Sequence, residues 1–147
     1  MVLASLLALP AAVGSAVVGG VFLVFSTTIM AALDRQPAEH AVAVMRTINR
    51  VILAPVFLGV FLGTALIGVA VVVTAPGQPL AWAGAALYVL GTFATTVVVN
   101  VPLNEALDRA AGGGAAAWRA YRPRWTVANH VRAVTAIGAA VAFTLLV

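Results

Sequence analysis

VLASLLALPAAVGSAVVGGVFLVFSTTIMAAL, from Val2 to Leu33, carries no charged side chain. A helix needs about 20 apolar residues, rising 1.5 Å each, to cross roughly 30 Å of hydrocarbon, and this stretch exceeds that length. It lacks the basic n-region of a secretory signal and is too long for a signal's apolar region. It therefore reads as a permanent transmembrane helix, tilted or extending past the bilayer. Three further stretches reach the required length: Val51–Val73, Leu80 to about Val101, and about Trp125 to Val147.

The composition agrees. Of 147 residues, 63% are hydrophobic and 8% charged, where a soluble domain carries about a quarter charged. So few polar groups cannot cover a water-facing surface, and disorder needs the opposite composition. Residues 1–147 thus read as one all-α membrane domain with spans at about 2–33, 51–73, 80–101 and 125–147. Residues 34–50 and 102–124 are amphipathic connections. The absence of cysteine removes disulfides, iron–sulfur clusters and thiolate zinc sites.

Eight basic residues, all arginine, face four acids for a formal charge of +4. Arg35, Arg46 and Arg50 fall between the first two spans. Arg109, Arg119, Arg122, Arg124 and Arg132 fall between or just inside the last two. The positive-inside rule puts both connections in the cytoplasm and both termini on the non-cytoplasmic side of the cell membrane. Because the charges sit between apolar runs, membrane lipid rather than nucleic acid is their expected partner.

An antiparallel four-helix bundle with short connections suits this pattern. Small residues that allow close backbone approach recur at Gly59/Gly63, Ser15/Gly19, Ala16/Gly20 and Ala136/Ala140; the same pairs could mark a homo-oligomer seam. Thr74–Pro79 reads as a turn, as does Gly112-Gly113-Gly114. Pro37 fits a helix start, and Val42, Met45, Asn49 and Ile52 recur at helical spacing behind it. Pro55 is expected to kink the second span near its start, and Pro123 to begin the fourth.

Polar side chains within a bilayer are costly and mark candidate sites. Ser26, Thr27 and Thr28 close the first span and Asn49 precedes the second. Asn100 and Asn104 end the third, with Thr92 and Thr96 on the same line. Asn129, His130 and Arg132 open the fourth. All belong to one layer near the cytoplasmic face, and the outer half carries almost nothing polar but Ser15. Transport would call for polar groups at the midplane and on both sides; this layer suits a pocket open to the cytoplasm or inner leaflet.

Structural readings stand beside the functional ones. Asn100 and Asn104 flank Pro102 and could cap a broken helix end. Arg132 could snorkel. Trp118, Tyr121 and Trp125 could form an interfacial aromatic belt, and His40 sits in a polar loop. His130 is the one histidine at membrane depth and can titrate near neutral pH, although a structural hydrogen bond would also account for it. Zinc is excluded for want of ligands, a serine triad for want of an acid near a histidine, and a phosphate loop for want of a strand. Haem would need a second His130 from another copy and is not favoured.

The combination Gly20–Leu33, Met45-Arg-Thr-Ile-Asn49, Asn100-Val-Pro-Leu-Asn104 and Trp118-x-x-Tyr121-x-x-x-Trp125-x-x-x-Asn129-His-Val-Arg132 resembles the anthrone oxygenase-like family of small four-helix membrane proteins. The resemblance spans nearly the whole chain. One departure is Ala31 after Met30, where the family often has proline. The resemblance implies oxidation of an anthrone or similar aromatic polyketide to a quinone by O2, without metal or flavin. On that reading His130 is the catalytic base, and Asn100, Asn104, Asn129 and Arg132 stabilise the oxyanion. Trp118, Tyr121 and Trp125 stack on a flat lipophilic substrate, with Asn49 and Ser26 completing the pocket. The alternative is a non-enzymatic bundle that binds a lipophilic ligand or a partner protein.

Overall fold

The computed structural model of the chain describes residues 2–110 and 114–147. Among the described residues there are five helices and no strand: α1 (Val2–Leu33), α2 (Ala38–Val51), α3 (Pro55–Thr74), α4 (Pro79–Arg109) and α5 (Ala115–Thr144). All but α2 are long and apolar enough to cross a membrane. Gly112 and Gly113 of the expected glycine turn lie outside the described residues.

The side chains are sorted for lipid rather than water. Ala8, Ala11, Ala136 and Ala139 are fully buried, while Val56 is 81% and Leu66 73% exposed. Between lipid-soluble helices there is little hydrophobic gain in burying large residues, and small ones let backbones approach. Helix α1 packs most extensively against α5. There Gly19 admits Ala136 and Ile137, whereas Gly59, Gly63 and Gly20 meet nothing within 4 Å.

Polar ties fix both ends of this pairing. Ser5 Oγ donates to the Leu146 carbonyl at 3.4 Å. At the opposite end of α1, Asp34 accepts from Trp118 Nε1 at 3.3 Å and pairs with Arg122 at 3.1 Å. Arg46 donates to the Leu107 and Ala110 carbonyls, closing the C-terminal end of α4, and Arg50 pairs with Asp108 at 2.8 Å. These contacts gather α2 and the charged ends of α1, α4 and α5 into one region.

Three prolines behave differently from their expected roles. Pro55 does not kink a span: α2 stops at Val51, and Pro55 starts α3 where its missing N–H costs nothing. Pro123 does not start the last helix but lies inside α5. An interior proline costs about 3 kcal/mol; here the flanking Trp118, Tyr121 and Trp125 are all buried, with successive ring centroids 6.0 and 6.1 Å apart. Their packing holds the turn around Pro123 in helical form. Pro102 does not break α4 either, because the helix enters it from a π turn at Thr96–Asn100. Asn100 and Asn104 are therefore not caps of a broken end.

Candidate functional site

The sequence of α4 places Thr92, Thr96, Asn100 and Asn104 four residues apart. In a regular α-helix such a row drifts about 40° per step around the axis. Helix α4 instead passes through π turns at Leu87–Ala94 and Thr96–Asn100. Each takes an extra residue per turn and winds the drift back, a distortion common at functional sites. Thr92 and Asn100 are consequently fully buried, and Thr96 and Asn104 half-buried.

Thr96, Asn100 and Asn104 border a cavity of about 100 Å³, together with Asn49 of α2 and Trp125 and Arg132 of α5. Its remaining wall is apolar, led by Phe22, Phe57 and Phe61. Phe57 and Phe61 stack with centroids 6.0 Å apart, and Phe22 meets both edge-on.

Arg132 is 5% exposed. Its Nη2 donates to Asn129 Oδ1 at 2.5 Å and its Nη1 to Thr96 Oγ1 at 3.3 Å. The guanidinium carbon lies 4.0 Å from the centre of the Phe22 ring and 5.3 Å from that of Trp125, a cation–π setting. Asn129 is held in turn by α1, donating to the Phe22 carbonyl at 2.7 Å and to Ser26 Oγ at 2.6 Å. Asn104 Oδ1 accepts from both Tyr121 Oη and Trp125 Nε1 at 2.9 Å. That commits its carbonyl and leaves its amide N–H groups to offer a ligand.

Three buried polar atoms on residues of this cavity have no hydrogen-bond partner: Asn49 Nδ2, Asn100 Oδ1 and Arg132 Nε. Among the described residues Arg132 also has no carboxylate opposite it; the ion pairs formed involve Arg50, Arg109 and Arg122. Buried polar groups are ordinarily satisfied, and a charge within a membrane protein is ordinarily paired. Unpaired donors, an unpaired acceptor and an uncompensated cation around one hollow form a ligand's complement.

Five of the ten residues singled out from the sequence thus border the cavity: Asn49, Asn100, Asn104, Trp125 and Arg132. Asn129, Ser26 and Tyr121 stand behind them, holding Arg132 and Asn104 in place. Trp118 is turned to Asp34 instead. His130 does not reach the cavity: it is exposed. With Asn129 and Arg132 facing inward, the roughly 100° turn per residue of an α-helix carries His130 away from them. Among the residues that line the cavity there is neither a histidine nor a carboxylate.

The aromatic wall was missed by sequence reasoning because phenylalanines in a span look like lipid-facing bulk; the i,i+4 pair Phe57/Phe61 was the available signal. Two further buried polar side chains were not singled out from the sequence. Tyr88, fully buried, donates to the Phe61 carbonyl at 3.1 Å, and Thr64 is buried against Gly14.

No curated protein and no solved structure matches the chain. The family model described as anthrone oxygenase matches residues 42–142, which takes in every cavity residue of α2, α3, α4 and α5 and leaves Phe22 and Ser26 of α1 outside. With more than half its length matched, the chain belongs to the anthrone oxygenase family.

Proposed function

We propose that the protein is an oxygenase that converts a lipophilic aromatic carbon acid, an anthrone or similar polyketide, to a quinone with O2 inside this cavity. The observation that supports it is the pairing of an uncompensated guanidinium with a lining free of any base. Such a site acts by stabilising a substrate anion rather than by pulling off its proton, an electrostatic effect that fixed donors supply at little reorganisation cost. The proton leaves to water at the mouth of the cavity, and the keto oxygen becomes an enolate oxygen facing Arg132 and the amide N–H groups of Asn49 and Asn104.

The electron-rich ring carbon of that anion reduces O2 directly and forms a C–O bond, giving a hydroperoxide once protonated. Loss of the second C–H proton breaks the O–O bond and expels hydroxide, so the CH2 group becomes C=O. One O2 is consumed and one water released, and the ring system supplies the electrons without a metal or flavin. The Phe22, Phe57 and Phe61 cluster gives the flat substrate an apolar wall.

The same reading places the helices as an antiparallel four-helix bundle in the cell membrane, with the arginine-rich ends cytoplasmic and both termini outside. The test is O2 consumption by purified protein given an anthrone, with and without a chelator. We expect one O2 per quinone formed, at an unchanged rate in chelator; uptake no faster than in protein-free detergent would overturn the proposal.

A further inference from the structure

The cavity raises a question about the resting complex that the reaction does not answer: in which charge state is a ligand held? The protein supplies a cation, 5% exposed, that no carboxylate among the described residues compensates. Its Nη1 and Nη2 are engaged by Thr96 and Asn129, both neutral, so neither removes the charge. Its Nε remains unpartnered, as does Asn49 Nδ2. Helix α3 adds to this field. Its N-terminal turn starts at Pro55 without a side-chain cap, and Ile52, Leu53 and Phe57 from that turn and the preceding break line the cavity. A helix N-terminus carries about half a positive charge.

Against these stands one free acceptor, Asn100 Oδ1, on a side chain 1% exposed. Its amide nitrogen donates to the Trp125 carbonyl at 3.4 Å, which leaves the oxygen for the cavity. Apart from Asn104 and Thr96, the rest of the wall is apolar.

We infer that the cavity is a site for lipophilic organic anions: it takes a weak acid in its ionised form, with the charged oxygen at Arg132 Nε and Asn49 Nδ2 and a neighbouring hydroxyl donating to Asn100 Oδ1. This rests on the cavity being the functional site but not on any oxidation taking place there. A neutral molecule of the same shape would leave the guanidinium uncompensated. An inorganic anion would leave the aromatic wall unfilled.

The test uses a probe that O2 does not oxidise, a 4-nitrophenol bearing an apolar tail, whose absorbance distinguishes phenol from phenolate. With wild-type protein in nanodiscs, the nitrophenolate should bind at least about ten-fold more tightly than the O-methyl ether, a difference of about 1.4 kcal/mol. Its ionisation on the protein should also move to lower pH than in protein-free nanodiscs. Both readings use the unaltered chain, so they stand even if a variant fails to fold. Arg132→Gln should abolish the preference and Arg132→Lys should restore part of it. Equal binding of the ether, or a preference that survives Arg132→Gln, overturns the inference. Phenolate binding without anthrone oxidation would refute the oxygenase reading and leave this one standing. Anthrone oxidation without phenolate preference would do the reverse.

Discussion

The two halves of the molecule differ in how many buried polar atoms they leave without a partner. In the half away from the charged ends, Gly84 and Gly91 bring helices into close contact. A Cβ on Gly84 would stand 2.7 Å from Phe143 Cε1, and one on Gly91 would stand 2.5 Å from Thr135 Cβ. Ser15 Oγ there is buried without a partner, and at the border with the other half the hydroxyls of Tyr88 and Thr92 are spent on the carbonyls of Phe61 and Arg132. In the half that holds the cavity, polar atoms on three helices are left without partners and the aromatic side chains enclose a hollow. One half is held mainly by close packing; the other gathers three unpartnered polar atoms around a hollow.

The sharpest way to break this contrast is to hollow out the closed half. Phe143 is fully buried and fits against Gly68 and Gly84. Phe143→Ala removes both its contacts and its filling of that space, so we expect a loss of about 3–5 kcal/mol. Thermal or denaturant unfolding in detergent reads it directly. An unchanged transition would mean that this half is not close-packed.

The open half should respond to an equally drastic change with function rather than stability. Arg132→Met keeps the bulk of the side chain and relieves the desolvation cost of an uncompensated buried charge, which offsets the bond lost at Asn129 Oδ1. The oxidation rate should nevertheless fall by about 100-fold or more, as when a fixed oxyanion donor is removed. Loss of folding together with activity would place Arg132 in the structural frame and remove the distinction between the halves.

A smaller effect tests the closeness of the helices. Gly91→Ala pushes a methyl group against Thr135 Cβ, an atom one bond from the α5 backbone, so relief requires the helix itself to shift. About 1–3 kcal/mol of destabilisation is expected, whereas Gly59→Ala, with nothing within 4 Å of its Cβ position, should be neutral or slightly stabilising through helix propensity. Equal effects at the two sites would show that the packing around Gly91 is loose.

Hydropathy and charge made the four spans legible because a bilayer imposes length and apolarity directly on sequence. The polar layer was legible for the same reason: Asn49, Asn100, Asn104 and Arg132 stand out against an apolar background. Which way each side chain turns was harder to read. The π turns of α4 alter facing without any composition signature, and the fate of Pro123 depended on the packing of Trp118, Tyr121 and Trp125 rather than on proline's own preference. The uncompensated state of Arg132 is invisible in sequence, since it depends on where Asp34, Glu39, Glu105 and Asp108 come to lie. Asp34 and Asp108 pair with Arg122 and Arg50, and Glu105 with Arg109.

The finest discrimination lies between two adjacent residues. Asn129 and His130 differ by one position, yet Asn129 is fully buried and clamps Arg132 to α1, while His130 is exposed. If facing decides function, His130→Ala should leave both the anthrone oxidation rate and its pH profile at wild-type values. Asn129→Leu should free Arg132 Nη2 and loosen its tie to Ser26 and the Phe22 carbonyl, slowing oxidation and weakening phenolate binding together. That joint loss separates a positioning role from simple destabilisation, which the unfolding transition would report independently. A His130→Ala enzyme that has lost its activity or the neutral limb of its pH profile would put the base back at His130. It would also require α5 to rotate by about one residue, or roughly 100°, relative to the arrangement described.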